Sequence, residues 1–129
     1  MCPQQCLFLS GELISILFGA KSALCPAYSL INNKNIFFVT IYDLTFVQVL
    51  FPQHEVLFID SIGYESFFIN DDEMSGISSN SIKRIECVLP KIKNNFRAYG
   101  STARMRLTYE EGRVLHEYLQ RDELPNIMI

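Results

Sequence analysis

Residues 36–51 read IFFVTIYDLTFVQVLF, an apolar run that Asp43 and Gln48 interrupt. Val, Ile, Phe, Tyr and Thr dominate it, and these side chains favour strands over helices. A helix that spans a membrane needs about 20 consecutive apolar residues, so this run is too short to cross a bilayer. We therefore predict two buried strands, Ile36–Tyr42 and Leu44–Phe51, and no transmembrane segment.

An alternation of period two continues on both sides of this run. It predicts further strands at Ala27–Ile31, Val56–Asp60, Tyr64–Ile69, Ile82–Leu89, Lys91–Tyr99 and Thr102–Leu107. The short connections between these strands favour antiparallel pairing, because parallel pairs need long crossovers. The polar stretch Asn70–Ser81 is predicted to be a loop.

Amphipathic patterns predict one helix near each end of the chain. The first begins after Ser10 and ends at Cys25-Pro26, because the residue before proline avoids helical angles. The second begins at Thr108, whose spacing to Glu111 is that of a capping box. Gly112 lies at the border of the apolar stripe of this second helix, which predicts close packing of the helix on the sheet.

Composition limits the class of fold. The chain has 129 residues, 49% of them hydrophobic, and a net charge of −3. Intrinsically disordered chains combine low hydrophobicity with high net charge, so this class is excluded. We predict one domain over residues 1–129 with an α+β fold. Its sheet is expected to be antiparallel, strongly bent or a partial barrel, with the N-terminal helix and a C-terminal capping helix.

The N-terminal region bears on the compartment. No Lys or Arg precedes the apolar stretch that begins at Leu7, and Glu12 interrupts it, so the features of a signal peptide are missing. We therefore predict a cytoplasmic protein, in which the four cysteines are reduced. They are Cys2, Cys6, Cys25 and Cys87.

Catalytic and metal-binding patterns are absent from the sequence. The cysteines and histidines show no zinc-ligand spacing, and the acidic run Asp71–Glu73 lacks the spacing and the glycine of a calcium loop. Cys87 is predicted to pack in the core, while His54 and His116 are predicted to face solvent. We predict no enzyme, no catalytic residue, no metal and no cofactor, and no motif assigns the chain to a family.

The stretch Lys91–Leu107 is predicted to be a β-hairpin with Gly100-Ser101 as its two-residue loop. That register places five cations and one tyrosine on the outer face, where two arginines would oppose each other. These residues are Lys91, Lys93, Arg97, Tyr99, Arg104 and Arg106. Three interpretations stay open: a charged edge that resists aggregation, neutralisation by acidic residues of the chain or of a second copy, and binding of an external anion.

Charge is segregated along the chain. Residues 43–82 hold seven acids and no Lys or Arg, whereas residues 83–106 hold seven basic residues and one acid. The acids are Asp43, Glu55, Asp60, Glu65, Asp71, Asp72 and Glu73.

Such a layout suits orientation of a charged partner. We predict a non-enzymatic protein-interaction module, of the inhibitor or immunity type, that binds another protein through these acids. The alternative is binding of nucleic acid or anionic headgroups through the basic hairpin, and an enzyme with a Cys or His nucleophile is the third hypothesis. A homodimer is compatible with the apolar tail Ile127–Ile129.

Overall fold

The computed structural model describes residues 4–120. The strands are β1 Cys6–Ser10, β2 Ser22–Pro26, β3 Val56–Ile59, β4 Ile62–Glu65 and β5 Met105–Arg106. The helices are α1 Glu12–Phe18, α2 Asp71–Ser75, α3 Ser79–Val88 and α4 Tyr109–Leu119, with 3₁₀ helices at Ala27–Leu30, Pro90–Ile92 and Phe96–Tyr99. The α+β class is therefore confirmed. The apolar tail Ile127–Ile129 lies outside the described residues.

The sheet is open and mixed, with the strand order β3-β4-β1-β2-β5. β1 is antiparallel to both β2 and β4, and β3 is antiparallel to β4. β5 is parallel to β2, with Ala23 opposite Met105 and Leu24 opposite Arg106. The prediction of an all-antiparallel sheet assumed that strands pair with their neighbours in sequence, and β2 and β5 are far apart along the chain. The predicted bent antiparallel sheet is thus confirmed only in part.

The chain divides into two compact units. Unit 1 comprises the described residues of 1–47, 56–65 and 104–129, and unit 2 comprises residues 48–55 and 66–103. Unit 1 contains the whole sheet with α1 and α4, whereas unit 2 contains α2 and α3. The assignment of residues 1–129 to one domain stays a prediction.

The first helix is shorter than its pattern predicts. α1 begins after Gly11, not after Ser10, and ends at Gly19, whose positive φ of 73° closes the last turn by a hydrogen bond from its N–H to Ser15 O. The chain then returns as β2 along β1, where Leu7 and Leu9 are buried in the core of unit 1. The predicted strand Ala27–Ile31 is instead a 3₁₀ helix.

The C-terminal helix is the element that the sequence describes best. Thr108 accepts a hydrogen bond from the Glu111 N–H, and the Glu111 carboxylate accepts one from the Thr108 N–H, so both halves of the predicted capping box are present. Leu115 is fully buried in the core of unit 1. A side chain at Gly112 would overlap Ser29, which agrees with the predicted close packing, although the neighbour is a 3₁₀ helix.

Unit 2 corrects three predictions. The predicted loop Asn70–Ser81 contains α2, which Asn70 caps, and the start of α3, which Ser78 caps. The predicted strand Ile82–Leu89 is most of α3, because Ile82, Ile85 and Leu89 also repeat at helical spacing. The predicted strand Lys91–Tyr99 consists of two 3₁₀ helices and turns. The core of the unit is formed by Ile69, Met74, Leu89, Ile92 and Tyr99.

The apolar run at residues 36–51 forms no strand and is mostly exposed, so the predicted buried strand pair is wrong. Eight of its large side chains are exposed by 49–87% of their surface. They are Phe37, Phe38, Val39, Ile41, Tyr42, Leu44, Phe46 and Val47, and residues 37–47 are named the exposed apolar segment below. No strand of the described sheet pairs with this segment. Among the described residues, no helix combines the length and the apolarity that a membrane span requires.

Candidate functional site

An ion pair with a buried carboxylate lies in unit 1. The Arg106 guanidinium donates from Nη2 and Nε to Glu65 Oε2, at 2.7 and 3.2 Å. The second carboxylate oxygen, Oε1, accepts the backbone N–H of Cys6 at 2.8 Å. Glu65 is only 6% exposed, while the Arg106 side chain is 29% exposed. These three donors hold the Glu65 carboxylate in one orientation.

The sheet positions the members of this ion pair. Glu65 is the last residue of β4, Cys6 is the first of β1 and Arg106 is the last of β5, so three strands meet at one carboxylate. Gln5 also donates from Nε2 to the Glu65 carbonyl oxygen at 3.2 Å. The carboxylate therefore links strands of unit 1 that are distant in sequence.

Two buried thiols belong to the same unit. Burial raises the pKa of Cys6, and the nearby Glu65 carboxylate raises it further. Burial also raises the pKa of Cys25 to about 11, although its contact with Ser29 Oγ at 3.3 Å acts in the opposite direction. Both groups are thiols at neutral pH, and the thiolate is the nucleophilic form of cysteine. Cys87 is exposed, so its predicted place in the core is wrong.

His54 is buried in unit 2, which corrects the prediction that it faces solvent. Its Nδ1 accepts the Ala103 N–H at 2.8 Å. The ring packs edge-on against Phe68, with centroids 5.0 Å apart. His54 is buried because Phe68 and the backbone of Ala103 pack against its ring.

Tyr99 also points into the interior of unit 2. Its hydroxyl lies 2.9 Å from the Phe51 carbonyl oxygen and 3.3 Å from that of Phe67, and it donates to these acceptors. Burial raises the pKa of Tyr99, and the Glu55 carboxylate adds to this effect. The ring is buried and its hydroxyl is hydrogen-bonded, so Tyr99 is not exposed for contact with a nucleic acid.

The other members of the predicted basic face are not paired in a hairpin, and they are divided between the two units. Lys91 donates to the Pro52 carbonyl oxygen at 2.8 Å in unit 2, and Arg104 donates to Ser22 Oγ at 3.1 Å in unit 1. Lys93 and Arg97 are exposed in unit 2. Binding of an anion by these residues stays a prediction, although the hairpin register from which it was inferred is absent.

The seven predicted acidic residues are divided between the units. In unit 1, Asp43 and Asp60 are exposed in turns with φ of 59° and 51°, whereas Glu65 is buried against Arg106. The acids of unit 2 are Glu55, Asp71, Asp72 and Glu73. Glu55 is half-buried and accepts from Gln53, and the other three are exposed in the first turn of α2. Six of the seven remain candidates for contact with a partner.

A cleft of about 310 Å³ lies in unit 2 beside this acidic turn. It is lined by Phe68, Ile69, Asn70, Asp71, Asp72, Arg97 and Gly100. A second cleft of about 550 Å³ shares Asp71 and Arg97 with it. Among residues 4–120, no three His, Cys, Asp or Glu side chains are grouped so that they could hold a metal ion.

The model of the Hint domain family matches residues 1–71, which is more than half of the chain. The chain belongs to the Hint domain family. Searches of curated proteins and of solved structures gave no match. The Hint match includes Cys6, Cys25, His54 and Glu65, whereas Arg106 lies beyond it in sequence.

Sequence reasoning missed both the Hint match and the Glu65–Arg106 pair. Glu65 is an isolated charge within the apolar stretch Ile62–Ile69, and a charge in a buried strand needs a partner. That signal was sufficient to predict a buried ion pair. The isolated charge could not identify Arg106 as the partner, because no local sequence pattern predicts the parallel pairing of β5 with β2.

Proposed function

We propose that this Hint-family protein is a protein-interaction module that binds a basic partner protein through the exposed apolar segment. The single observation that carries the proposal is the exposure of eight large apolar side chains within residues 37–47. Soluble proteins rarely leave such side chains contiguous and uncovered, and surfaces that do so commonly bind other proteins. Tyr42 and Val47 are the most exposed of them, at 87% and 83%.

Charge supports a basic partner. Asp43 lies at the turn in the middle of the exposed apolar segment, and residues 35–82 contain no Lys or Arg. Asp60 is a second exposed acid in unit 1. An apolar contact that includes an exposed acid favours a partner with a basic side chain beside an apolar strip, because opposite charges steer and orient association.

The chemistry of the described residues supports binding rather than catalysis. Cys6 and Cys25 have raised pKa values and are buried, and the Glu65 carboxylate already accepts three hydrogen bonds. None of these groups is free to attack or deprotonate a substrate. The inhibitor type of module is one form of such binding and stays a prediction.

The test compares proteins captured by the full chain and by matched variants. Phe38→Ser with Val47→Ser removes two apolar contacts from the exposed apolar segment. Val88→Ser is the control, because Val88 is 72% exposed in α3 of the other unit. Captured proteins are identified by mass spectrometry from the native lysate, and binding of each purified candidate is then measured at two salt concentrations.

The proposal requires one basic protein that binds the wild type and Val88→Ser equally, binds the double variant at least about tenfold more weakly, and loses affinity as salt increases. Asp43→Asn should weaken the same complex by a smaller factor. Equal affinity for wild type and the double variant would overturn the proposal.

A further inference from the structure

The exposed apolar segment contains a turn at Tyr42 and Asp43. Asp43 has a φ of 59°, in the left-handed region, which aspartate tolerates better than most residues. The residues on either side, 38–41 and 44–47, belong to no strand of the described sheet. A turn therefore joins two short arms that have high strand propensity and no strand partner.

The two arms mirror each other about this turn. If Tyr42 and Asp43 form a two-residue loop, Ile41 faces Leu44 and Thr40 faces Thr45. The outer pairs are Val39 with Phe46 and Phe38 with Val47. Aromatic residues opposite β-branched ones, and threonine opposite threonine, are among the pairs that stabilise antiparallel strands.

We propose that residues 38–47 are a conditional β-hairpin, which the free chain forms only as a minor population and which becomes the main form when its apolar face is covered. In the closed form, Val39, Ile41, Leu44 and Phe46 lie on one face, and the other face carries both threonines with Phe38 and Val47. Closing places four of the apolar side chains on one surface and pairs the backbone groups of the two arms. An isolated two-stranded hairpin is at best marginally stable in water, so the closed form needs a cover.

Tyr42 explains why the arms are open. The tight loops that match the twist of a hairpin need a positive φ at the first loop residue, and type I′ loops need it at both. Asp43 already has a positive φ, whereas Tyr42 does not. A side chain as large as tyrosine is strained in that region, so one residue opposes closure.

The pairing partner is within the chain rather than in a second copy. In a symmetric antiparallel pair of identical segments, the central pair consists of two copies of the same residue, because the two-fold axis passes through it. The mirrored register has its centre between Tyr42 and Asp43, so a symmetric dimer cannot use it. This inference stands independently of the proposed function, although closure would shape the surface that the partner contacts.

Disulfide trapping in the full chain tests the register. Cys2→Ser and Cys87→Ser form the background, and Cys6 and Cys25 stay in place because both are buried. Phe38→Cys is combined with Phe46→Cys, Val47→Cys or Gln48→Cys, in three variants. Each protein is equilibrated in a glutathione redox buffer, and its intramolecular disulfide is quantified by mass spectrometry.

The thiols at positions 38 and 47 should have an effective concentration for disulfide formation about tenfold higher than the thiols of the two neighbouring combinations. A shift of one residue moves the second thiol to the opposite face of the hairpin. In an open chain, the three loops differ little in closure entropy, so similar yields would overturn the proposal. A maximum for residues 38 and 46 would also overturn it. Tyr42→Asn with Asp43→Gly supplies a preferred hairpin loop and should increase the 38–47 yield further.

Discussion

Arg106 and Glu65 join the last residue of β5 to the last residue of β4 through two hydrogen bonds to one carboxylate oxygen. β5 is only two residues long and lies at the edge of the sheet, so its backbone pairing with β2 is slight. The side-chain bond adds an attachment to β4, a strand that is not adjacent to β5 in the sheet. The ion pair therefore fixes the position of the chain that enters α4.

Glu65→Gln should lower the free energy of unfolding by roughly 1–3 kcal/mol, since an arginine at a partly buried site loses its counter-charge. The Gln side chain keeps an oxygen for the Cys6 N–H and turns its NH₂ group towards Arg106, so the charge and both hydrogen bonds from Arg106 are lost together. Arg106→Gln and the double variant complete a double-mutant cycle in urea denaturation. Additive effects of the two single variants would show that the pair contributes no coupling energy.

Gly112→Ala should destabilise the folded protein, although alanine favours helix over glycine by about 1 kcal/mol. An added Cβ would overlap the Ser29 side chain and stand 3.0 Å from Cys25 Sγ. Overpacking of this kind costs about 1–3 kcal/mol, so the expected net loss is up to about 2 kcal/mol in the free energy of unfolding.

Two variants control for this prediction. Gly76→Ala meets nothing within 4 Å and should leave the midpoint of urea denaturation nearly unchanged. Ser29→Gly removes the atoms that the new methyl group would overlap, so it should be less harmful in the Gly112→Ala protein than in the wild type. A Gly112→Ala protein that is more stable than the wild type would contradict the close packing.

Local signals were sufficient for elements whose cause is local. The capping box of Thr108 and Glu111 and the strand at Val56–Ile59 were predictable, because side chains a few residues apart determine them. Ile82, Ile85 and Leu89 fit helical spacing while Ile85, Cys87 and Leu89 fit a strand, so the period of α3 was ambiguous.

Contacts across the sequence were not predictable. The pairing of β2 with β5 and the burial of His54 depend on segments that are about 50 or more residues away. The Gly100-Ser101 dipeptide has the composition of a hairpin loop, and Gly100 has a φ of 101°. A 3₁₀ helix precedes it instead of a strand, because Tyr99 is held in the core of unit 2. The predicted basic face depended on the register of this hairpin, so it is absent as well.

The cysteine thiols should react in a definite order. Cys87 is exposed, whereas Cys6 and Cys25 are buried with raised pKa values. In a Cys2→Ser background at pH 8, iodoacetamide should label Cys87 rapidly and the other two only on unfolding, because alkylation requires an accessible thiolate. Peptide mass spectrometry with and without urea measures this order. Rapid labelling of Cys6 in the folded protein would contradict its burial in unit 1.

His116 should make stability depend on pH in mildly acidic solution. Burial lowers the pKa of His116 below its ordinary value of 6.5, and the Arg113 cation lowers it further, while Glu117 and the Ile31 backbone act in the opposite direction. As pH falls through 6.5, the unfolded chain therefore binds a proton before the folded chain does. The stabilisation from neutral His116 is present above this pH and is lost below it.

The free energy of unfolding should thus decrease between pH 7 and pH 5, and His116→Gln should decrease less over the same range. Urea denaturation at a series of pH values measures both slopes. Arg113→Gln removes the cation on the same helix, and also its bond to the Ser29 carbonyl oxygen, so its slope rather than its absolute stability is compared. Its slope should lie between those of the wild type and His116→Gln. Identical slopes for wild type and His116→Gln would assign the acid sensitivity to other groups.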